Sequence, residues 1–368
     1  MTSTPSRLGD LSTPALVVDE SAFAFNISTM STMRPGSTLR PHVKAHKCTS
    51  LAARQVAAGH DTFTCATPRE VVGMIDAGVG RDLLLANETL DPTRLRAMKA
   101  AQVRSGITVI VAVDSPETIH AASAAGITDV LVDVNVGLPR CGCSPRAASD
   151  LASLARSLGL VVRGVMGYEG HLMALPDRDS QRTKVLESMT TLVETFDHVV
   201  EAVGRDERCS IVSAGGTGTW DLYDPDHPVL SRVNEVQAGS YALMDTHYGA
   251  LDLPFRQALF VVGTVISRTG SPGSSGSWSV IDVGLKSLGM DHGNPTVDGA
   301  SVWFCSDEHT TLGFGDAASP ALGSRVLVRP AHVDPTVAMH ETMFLVDDVT
   351  RGPDARVVDT WPVDLRGW

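Results

Sequence analysis

The feature that most constrains this chain is a regular alternation of short apolar segments with helical segments between residues 39 and 239. The apolar segments read as strands because they are short and are bounded by Gly, Pro or polar residues. Several of the intervening helices begin with Thr-Pro, Asp-Pro or Ser-Pro, a preferred pair at a helix N-terminus. In chain order the predicted strands cover residues 39–44, 62–66, 82–87, 108–113, 130–136, 161–168, 210–214 and 234–239.

Eight successive strand–helix units predict an α/β fold with a parallel sheet closed into a (β/α)8 barrel of the TIM type. An open doubly wound sheet is the alternative. That fold usually has a Gly-x-Gly-x-x-Gly turn after its first strand, and this sequence has none at that place. We therefore expect a barrel domain over residues 20–252.

The pattern changes after residue 252 to strand-like runs separated by Gly, Ser and Pro, including a turn at residues 271–277. This pattern predicts a second, smaller all-β domain made of residues 1–19 plus 253–368. The apolar segment at residues 15–18 is its expected extra strand.

Composition narrows the class of protein. The formal net charge of -12 argues against nucleic acid and anionic membranes as partners, and no apolar run approaches the ~18 residues of a membrane helix. The N-terminus does not resemble a signal peptide, and the six cysteines are scattered, so we expect a cytoplasmic protein with reduced thiols. Cys141-Gly142-Cys143 is either part of a zinc site or a turn with small side chains.

Polar residues cluster at the carboxyl ends of the predicted strands, where the active sites of such barrels lie. In a strand, His42, Lys44 and His46 would point to one face. If that face is the barrel interior, Lys44 is a buried amine, suited to form a Schiff base. The alternative is that two lysines close a strand at the surface.

Two glycine-rich segments follow the seventh and eighth predicted strands, the usual phosphate position of these barrels. The first contains Gly216 and Thr217, and the second contains Gly239, Ser240 and Tyr241. Backbone N–H groups and hydroxyls of such loops can bind an anion. The combination predicts a phosphate group between the two loops.

Three further side chains follow the fifth and sixth strands. Arg140 suits a phenolate or carboxylate, and its alternative role is that of a surface arginine in a turn. Tyr168 and His171 could contact a cofactor ring and move a proton, although a lone loop histidine is more often structural.

In the β domain, His332 and Asp334 would share one face of an extended segment, where they could hold manganese, magnesium or zinc.

Taken together, these motifs resemble fold-type III pyridoxal 5′-phosphate (PLP) enzymes of the D-threonine aldolase and D-serine dehydratase family, which is related to alanine racemase. The resemblance spans most of the chain. The motifs that carry it are Pro41-His42-Val43-Lys44-Ala45-His46-Lys47, Leu85-Ala86-Asn87-Glu88, Arg140-Cys141-Gly142, Tyr168-Glu169-Gly170-His171, Gly215-Gly216-Thr217-Gly218-Thr219, Gln237-Ala238-Gly239-Ser240-Tyr241 and the His332–Asp334 pair.

The resemblance implies a cofactor and a set of roles. PLP would be bound by Lys44 rather than Lys47, with Arg140 near its phenolic oxygen and Tyr168 near its ring. His332 and Asp334 match the divalent metal pair of the family, and a homodimer with its active site near the subunit interface is implied. The residues implied near the phosphate are Gly216, Thr217, Gly239, Ser240 and Tyr241.

The resemblance also ranks the activities. Dehydratases of the family generally carry His-x-Cys at the metal pair and aldolase-like members His-x-Asp, and this chain has Asp334. We therefore expect a lyase that cleaves D-β-hydroxy-α-amino acids to glycine and an aldehyde, with His171 as the base. A D-serine or 3-hydroxyaspartate dehydratase is the alternative. An amino-acid racemase and a non-catalytic PLP-binding protein rank below these two lyase activities.

Overall fold

The computed structural model describes residues 5–269, 277–315 and 319–368. Apart from its last residue, the turn predicted over residues 271–277 lies outside these ranges. The chain divides into two compact units. The sheet unit comprises Met1–Thr29, Ala45–Leu51 and Ser240–Arg366, and the barrel unit comprises Met30–Lys44, Ala52–Gly239 and Gly367–Trp368. The domain boundaries expected from the sequence stay a prediction.

The strands of the described residues are numbered here in chain order. They are β1 (Ala15–Asp19), β2 (Thr62–Cys65), β3 (Asp82–Leu85), β4 (Thr108–Val113), β5 (Asp129–Asp133), β6 (Val161–Gly167), β7 (Ile211–Ala214), β8 (Glu235–Val236), β9 (Leu259–Thr269), β10 (Trp278–Ile281), β11 (Thr296–Val297), β12 (Ser301–Cys305), β13 (Thr310–Gly313), β14 (Arg325–Arg329), β15 (Thr342–Val346) and β16 (Val357–Pro362). The α-helices are α1 (Glu20–Met33), α2 (Thr49–Ala57), α3 (Pro68–Asp76), α4 (Pro92–Ser105), α5 (Pro116–Ala124), α6 (Ala148–Ser157), α7 (Arg178–Ala202), α8 (Thr246–Gly249) and α9 (Val333–Met339).

The barrel unit is built on a parallel sheet in which β2 to β8 pair in chain order. The segment before β2 connects the two edge strands of this sheet. Leu39 forms a parallel bridge with Val236 of β8, and His42 forms one with Thr64 of β2. The Thr64 N–H also donates to the Pro41 carbonyl at 2.9 Å. The predicted barrel is confirmed, with its first strand reduced to isolated bridges.

The helices of the barrel begin where the sequence signals indicate. Thr67, Asp91 and Ser115 each accept a hydrogen bond from a backbone N–H of the first turn of α3, α4 and α5, and a proline follows each of them. The Ser144-Pro145 pair, which predicts a helix that begins at Pro145, is an exception. The Ala147 N–H donates to the Ser144 carbonyl in a separate turn, so α6 begins only at Ala148.

The apolar strand residues fill the barrel. A cluster of buried side chains takes alternate positions of neighbouring strands and includes Leu84, Ile110, Ala112, Leu131 and Met166. Strands buried on both faces explain the nearly continuous apolar runs of the sequence, such as β4, in which five of six residues are buried.

A buried arginine lies at the centre of an ion-pair network in the barrel unit. Arg40 is 1% exposed, and its guanidinium bonds both oxygens of Glu235 at 2.7 and 2.9 Å and Asp82 Oδ1 at 2.8 Å. Although burial lowers it, Glu235 and Asp82 raise the pKa of Arg40 above its ordinary value. The ion pairs tie the segment that precedes Lys44 to β3 and β8, and thereby help to close the sheet.

The sheet unit is an antiparallel sheet with one parallel pair. Its main path runs β12-β13-β10-β9-β1-β15-β16, and β14 joins β9 and β11. The expected extra strand near the N-terminus is confirmed, since β1 pairs antiparallel to β9 and parallel to β15. Among the helices of the described residues, none has the length and apolarity that crossing a bilayer requires.

Candidate active site

Lys44 lies at the carboxyl end of the segment that closes the barrel, but not on a strand. Residues Val43–Ala45 form a 3-10 helix, so the expectation that His42, Lys44 and His46 share one strand face is wrong. The strand stops because its pairing ends at His42, whose N–H donates to the Ala238 carbonyl at 3.1 Å. Lys44 is half-buried, which lies between the two alternatives of a buried amine and a surface lysine.

The Lys44 amine faces an aromatic ring. Its Nζ lies 5.9 Å from the centroid of the Tyr168 ring, and the guanidinium carbon of Arg140 lies 5.1 Å from the same centroid. Tyr168 directly follows β6, and Arg140 lies in the loop after β5. The fold thus gathers an amine, an aromatic face and a fixed positive charge, three of the residues that the sequence singled out.

His171 lies in the 3-10 helix Gly170–Leu172 and is exposed. Its ring packs on Gly137, where an added Cβ would lie 2.9 Å from the His171 Cε1 atom. Gly137 also has φ +124°, which only glycine adopts readily. The Asn135 side chain holds this loop, since Oδ1 accepts from the Gly137 N–H at 3.0 Å and Nδ2 donates to the Leu138 carbonyl at 2.7 Å.

The glycine loop after β7 is tied to a buried carboxylate. Glu169 is fully buried and accepts from the Gly215 N–H at 3.2 Å, the Thr219 hydroxyl at 2.7 Å and the Tyr223 hydroxyl at 2.5 Å. Thr219 Oγ1 accepts in turn from the Gly216 N–H at 3.3 Å. The sequence predicts no role for Glu169, because no local pattern indicates that three donors surround it.

The hydrogen bonds within the glycine loop after β7 limit which of its N–H groups could bind an anion. The N–H groups of Gly215 and Gly216 already bond to side chains, so an anion there would use other donors. Gly216 and Thr217 are buried. At Gly218 an added Cβ would lie 1.9 Å from the Met173 carbonyl oxygen, so the loop packs directly on the residues after His171.

We expect Glu169→Gln to lower the free energy of unfolding by about 1–3 kcal/mol. Glutamine keeps one oxygen for Thr219 and Tyr223, but it turns an NH2 group towards the Gly215 N–H, so two donors meet in a buried place. Urea denaturation measures the change, and Glu194→Gln on the exposed side of α7 is the matched control. Equal stability of the two variants would contradict this description of the loop.

The remaining residues predicted near the phosphate span the unit boundary. Gly239 ends the barrel unit and is buried. Ser240 and Tyr241 begin the sheet unit in the 3-10 helix Ser240–Ala242, and both are buried. Their assignment to the phosphate stays a prediction.

A buried carboxyl group ends β5. Asp133 is 5% exposed. Burial raises its pKa to about 8, and the nearby carboxylates of Glu88 and Asp114 add to this while Arg140 opposes it. Perturbed carboxyl groups of this kind concentrate at functional sites. This one was not singled out from the sequence because its acidity depends on burial.

We expect Asp133→Asn to flatten the pH dependence of stability between about pH 4 and 8. The native pKa lies above the ordinary value of 3.8, so the native state holds this proton more tightly than the unfolded state. The stability linked to it is complete at low pH and is lost as the pH rises towards 8. The free energy of unfolding of the natural protein should therefore fall between pH 5.5 and pH 8.5 more than that of the variant. The difference between the two proteins should shift in favour of the variant at pH 8.5.

Urea denaturation at the two pH values measures this gain, with the exposed Asp150→Asn as the control. A constant difference between Asp133→Asn and the natural protein at both pH values would contradict the raised pKa.

The Cys141-Gly142-Cys143 segment favours the turn over the zinc site. Burial raises the pKa of each thiol to about 12. The Asn135 N–H donates to the Cys143 carbonyl, and the Cys143 N–H donates to the Asp133 carbonyl, both at 2.9 Å. These bonds fix the loop that carries Arg140.

In the sheet unit, His332 and Asp334 do not lie on an extended segment, and that expectation is wrong. His332 is the last extended residue, with φ −142° and ψ 121°, and α9 begins at Val333. The helix forms here because Asp245 accepts from the Val333 N–H at 2.9 Å and the Thr336 hydroxyl bonds the His332 carbonyl at 2.6 Å. Asp334 therefore lies in the first helical turn.

The structure adds three side chains to His332 that sequence reasoning missed. The His332 Nδ1 atom is 2.8 Å from Asp291 Oδ2, and its ring stacks on His292 with centroids 4.0 Å apart. His247 lies beyond, with its centroid 4.2 Å from that of His292. The Asp291-His292 dipeptide in the predicted β domain is the sequence feature that could have indicated further metal ligands.

Asp291, His292 and His332 each offer a ligand atom within 4.8 Å of the others, which makes this group a candidate metal centre within the described parts of the chain. Burial lowers the pKa of His292, and the neighbouring imidazoles of His332 and His247 lower it further, so the ring is neutral and able to bind a cation.

Two protein-family models match this chain, one over most of the barrel and one over much of the antiparallel sheet. Residues 18–247 match the model of the alanine racemase N-terminal domain, and residues 258–346 match that of a serine dehydratase domain. A D-threonine aldolase from Arthrobacter sp. is 32% identical, over 99% of this chain and 96% of its own length. A D-threo-3-hydroxyaspartate dehydratase from Delftia sp. is 27% identical, over 89% of this chain and 92% of its own length.

A solved structure extends the similarity to three dimensions. The D-threonine aldolase from Filomicrobium marinum superimposes with a TM-score of 0.87 at 32% identity, covering 98% of this chain and 97% of that one. The whole chain, with its parallel barrel and its separate antiparallel sheet, is accounted for by one group of relatives. The chain belongs to the D-threonine aldolase and D-serine dehydratase family of fold-type III PLP enzymes.

Proposed function

We propose that this protein is a PLP- and divalent-metal-dependent lyase that cleaves D-β-hydroxy-α-amino acids, with D-threonine as the model substrate, to glycine and an aldehyde. The observation that carries the proposal is the convergence of the Lys44 amine and the Arg140 guanidinium within 6 Å of the Tyr168 ring. Membership of a family of PLP enzymes supports this reading of the three side chains.

The residues present fit PLP. Lys44 would hold the cofactor covalently through its amine, Arg140 would neutralise the phenolic oxygen, and Tyr168 would support the ring. The buried loops that contain Gly216, Thr217, Gly239, Ser240 and Tyr241 would receive the phosphate. When bound, PLP supplies an electron sink for the carbanion left by carbon–carbon cleavage.

Around His332 the chain also offers donors for a divalent cation. His332 and Asp334 would hold it, with one nitrogen and one hard oxygen, a donor set that suits manganese or magnesium and allows zinc. The cation would act as a Lewis acid towards the substrate hydroxyl. Asp291 and His292, which lie beside His332, strengthen the case for a metal centre at this place.

The chain's own residues then have defined tasks. Lys44 would hold PLP between turnovers and would be an unmodified amine while the amino acid is bound. His171 is the proposed base that removes the proton from the β-hydroxyl oxygen. The ring is exposed, so it can exchange that proton with solvent after each turnover. Because Gly137 has no side chain, the His171 imidazole can pack against its backbone.

Elimination of water is the second candidate function. In that reaction Lys44 would remove the proton from Cα, and D-serine or 3-hydroxyaspartate would be the substrate. A related dehydratase of 27% identity supports it. Asp334 favours the aldolase, since a cysteine is the expected residue at this position in dehydratases. A racemase or a protein that only carries PLP would need no metal centre.

The test compares products over a panel of substrates. D-threonine, D-phenylserine, 3-hydroxyaspartate and D-serine are each incubated with the protein, PLP and Mn²⁺, and aldehyde and 2-oxo acid are assayed together. Aldehyde from at least one β-hydroxy substrate supports the proposal. A 2-oxo acid without aldehyde would show a dehydratase, and racemisation that survives a chelator would refute both lyase functions.

The expected oligomer is a homodimer, and the expected compartment is the cytoplasm. Both expectations derive from the family resemblance and the composition. Sedimentation equilibrium of the purified chain tests the first, and a monomer at micromolar concentration would contradict it.

A further inference from the structure

The metal centre assigned above depends on which nitrogen of His332 faces the cation. A neutral imidazole has one N–H donor and one lone pair, and only the nitrogen with the lone pair can bind a metal. The choice between the two nitrogens is usually made by a hydrogen-bond partner outside the metal centre. His332 has such a partner in this structure.

That partner is Asp291. Its Oδ2 atom lies 2.8 Å from the His332 Nδ1 atom, within hydrogen-bond distance. A carboxylate can only accept a hydrogen bond, so the proton of this bond must belong to the imidazole. In its neutral form, His332 therefore carries its hydrogen on Nδ1 and its lone pair on Nε2.

The backbone makes this contact a built feature rather than a chance approach of an exposed side chain. Gly289, two residues before Asp291, forms an antiparallel bridge with His332. The Gly289 N–H also donates to the Thr336 hydroxyl at 2.9 Å, and Thr336 bonds the His332 carbonyl. A Cβ at position 289 would lie 2.3 Å from Pro335 Cγ, so only glycine permits this closeness.

A second contact limits the ring plane. The imidazole of His292 stacks on that of His332 with an interplanar angle of 11° and a centroid separation of 4.0 Å. The side chain of His332 is 19% exposed, and the ring is thus held at its edge by Asp291 and at one face by His292. A flip of the ring would keep the stacking but would move Nδ1 away from Asp291.

We propose that Asp291 is a positioning residue: it holds His332 in the Nδ1–H form, so that Nε2 is the atom presented to the divalent cation. The inference rests on the metal centre of the proposed function and deepens it. Of the three residues that could supply a ligand atom here, the proposal gives Asp291 the role of partner to His332 Nδ1, and not that of a ligand. Removal of such a partner typically weakens metal binding by about 10- to 100-fold.

The first experiment reads the tautomer without any metal. Full-length protein with ¹⁵N-labelled histidine is stripped of metal, and the two ring nitrogens of His332 are observed by NMR, assigned with the variant His332→Gln. The natural protein should show the Nδ1–H form. Asp291→Ala should shift the ring towards the Nε2–H form that dominates for a free imidazole, and Asp291→Asn should restore part of the Nδ1–H signal through its amide oxygen.

The second experiment measures Mn²⁺ binding by electron paramagnetic resonance of the free ion. We expect Asp291→Ala to bind about 10- to 100-fold more weakly than the natural protein. His332→Ala should lose binding more completely. Asp307→Ala, which removes an exposed carboxylate of the same unit, should bind as the natural protein does.

Three results would overturn the inference. Unchanged tautomer and affinity in Asp291→Ala would show that the contact does nothing. A loss of binding as complete as in His332→Ala would make Asp291 a direct ligand. Natural protein that binds no Mn²⁺, Mg²⁺ or Zn²⁺ would refute the metal centre of the proposed function itself, which the other two results leave intact.

Discussion

Lys44→Arg is expected to abolish the visible absorbance of protein-bound PLP and to reduce carbon–carbon cleavage by about 10⁴-fold or more, the scale seen when a covalent catalytic group is removed. Arginine keeps the positive charge beside Tyr168 but cannot form the covalent bond, because its guanidinium is never deprotonated in proteins. Absorbance spectroscopy after addition of PLP and steady-state kinetics give the two readings.

Lys47→Arg is the matched control, since it changes a lysine three residues away in the same segment. It should retain both the absorbance and the activity. Borohydride reduction followed by peptide mapping should place the cofactor on the peptide that contains Lys44. Full absorbance in Lys44→Arg and its loss in Lys47→Arg would reverse the assignment.

The second large effect concerns folding. Arg40→Met should lower the free energy of unfolding by about 3–5 kcal/mol, because it leaves two carboxylates without their cation in the barrel interior. Glu235 would lose both of its bonds to Arg40, and Asp82 would lose one. The segment that leads to Lys44 would lose its link to β3 and β8 at the same time.

Urea denaturation gives the magnitude, with Arg104→Met as the control. Arg104 pairs with Asp76 at the surface, where both side chains are more than half exposed, so its removal should cost less than about 1 kcal/mol. Replacing Arg40, Asp82 and Glu235 together with apolar residues should recover part of the loss. Similar stability of the Arg40 and Arg104 variants would contradict the buried network.

The sequence was most informative where one local rule decides the structure. The strand β4 and the starts of α3, α4 and α5 agree with prediction, because apolar runs and Ser/Thr/Asp-Pro pairs act within a few residues. The first barrel strand was predicted too long. Its length depends on pairing with Val236 and Thr64, which are distant in the chain.

The same division holds for the candidate site. Lys44, Tyr168 and Arg140 were found because each follows a strand of one parallel sheet, and the carboxyl ends of such strands meet. Asp291 and His292 were missed, because only the Gly289–His332 bridge brings that loop to His332. The pKa of Asp133 likewise arises from burial and from Glu88, which no local pattern encodes.

The most direct test of the proposed function is a single reaction of the purified protein with PLP, Mn²⁺ and D-threonine, in which glycine and acetaldehyde are quantified with and without a chelator. Equal amounts of glycine and acetaldehyde that vanish on chelation are the predicted result. Conversion of D-threonine to 2-oxobutanoate, or cleavage that continues unchanged in the chelator, would contradict the roles proposed for Lys44, His332 and Asp334.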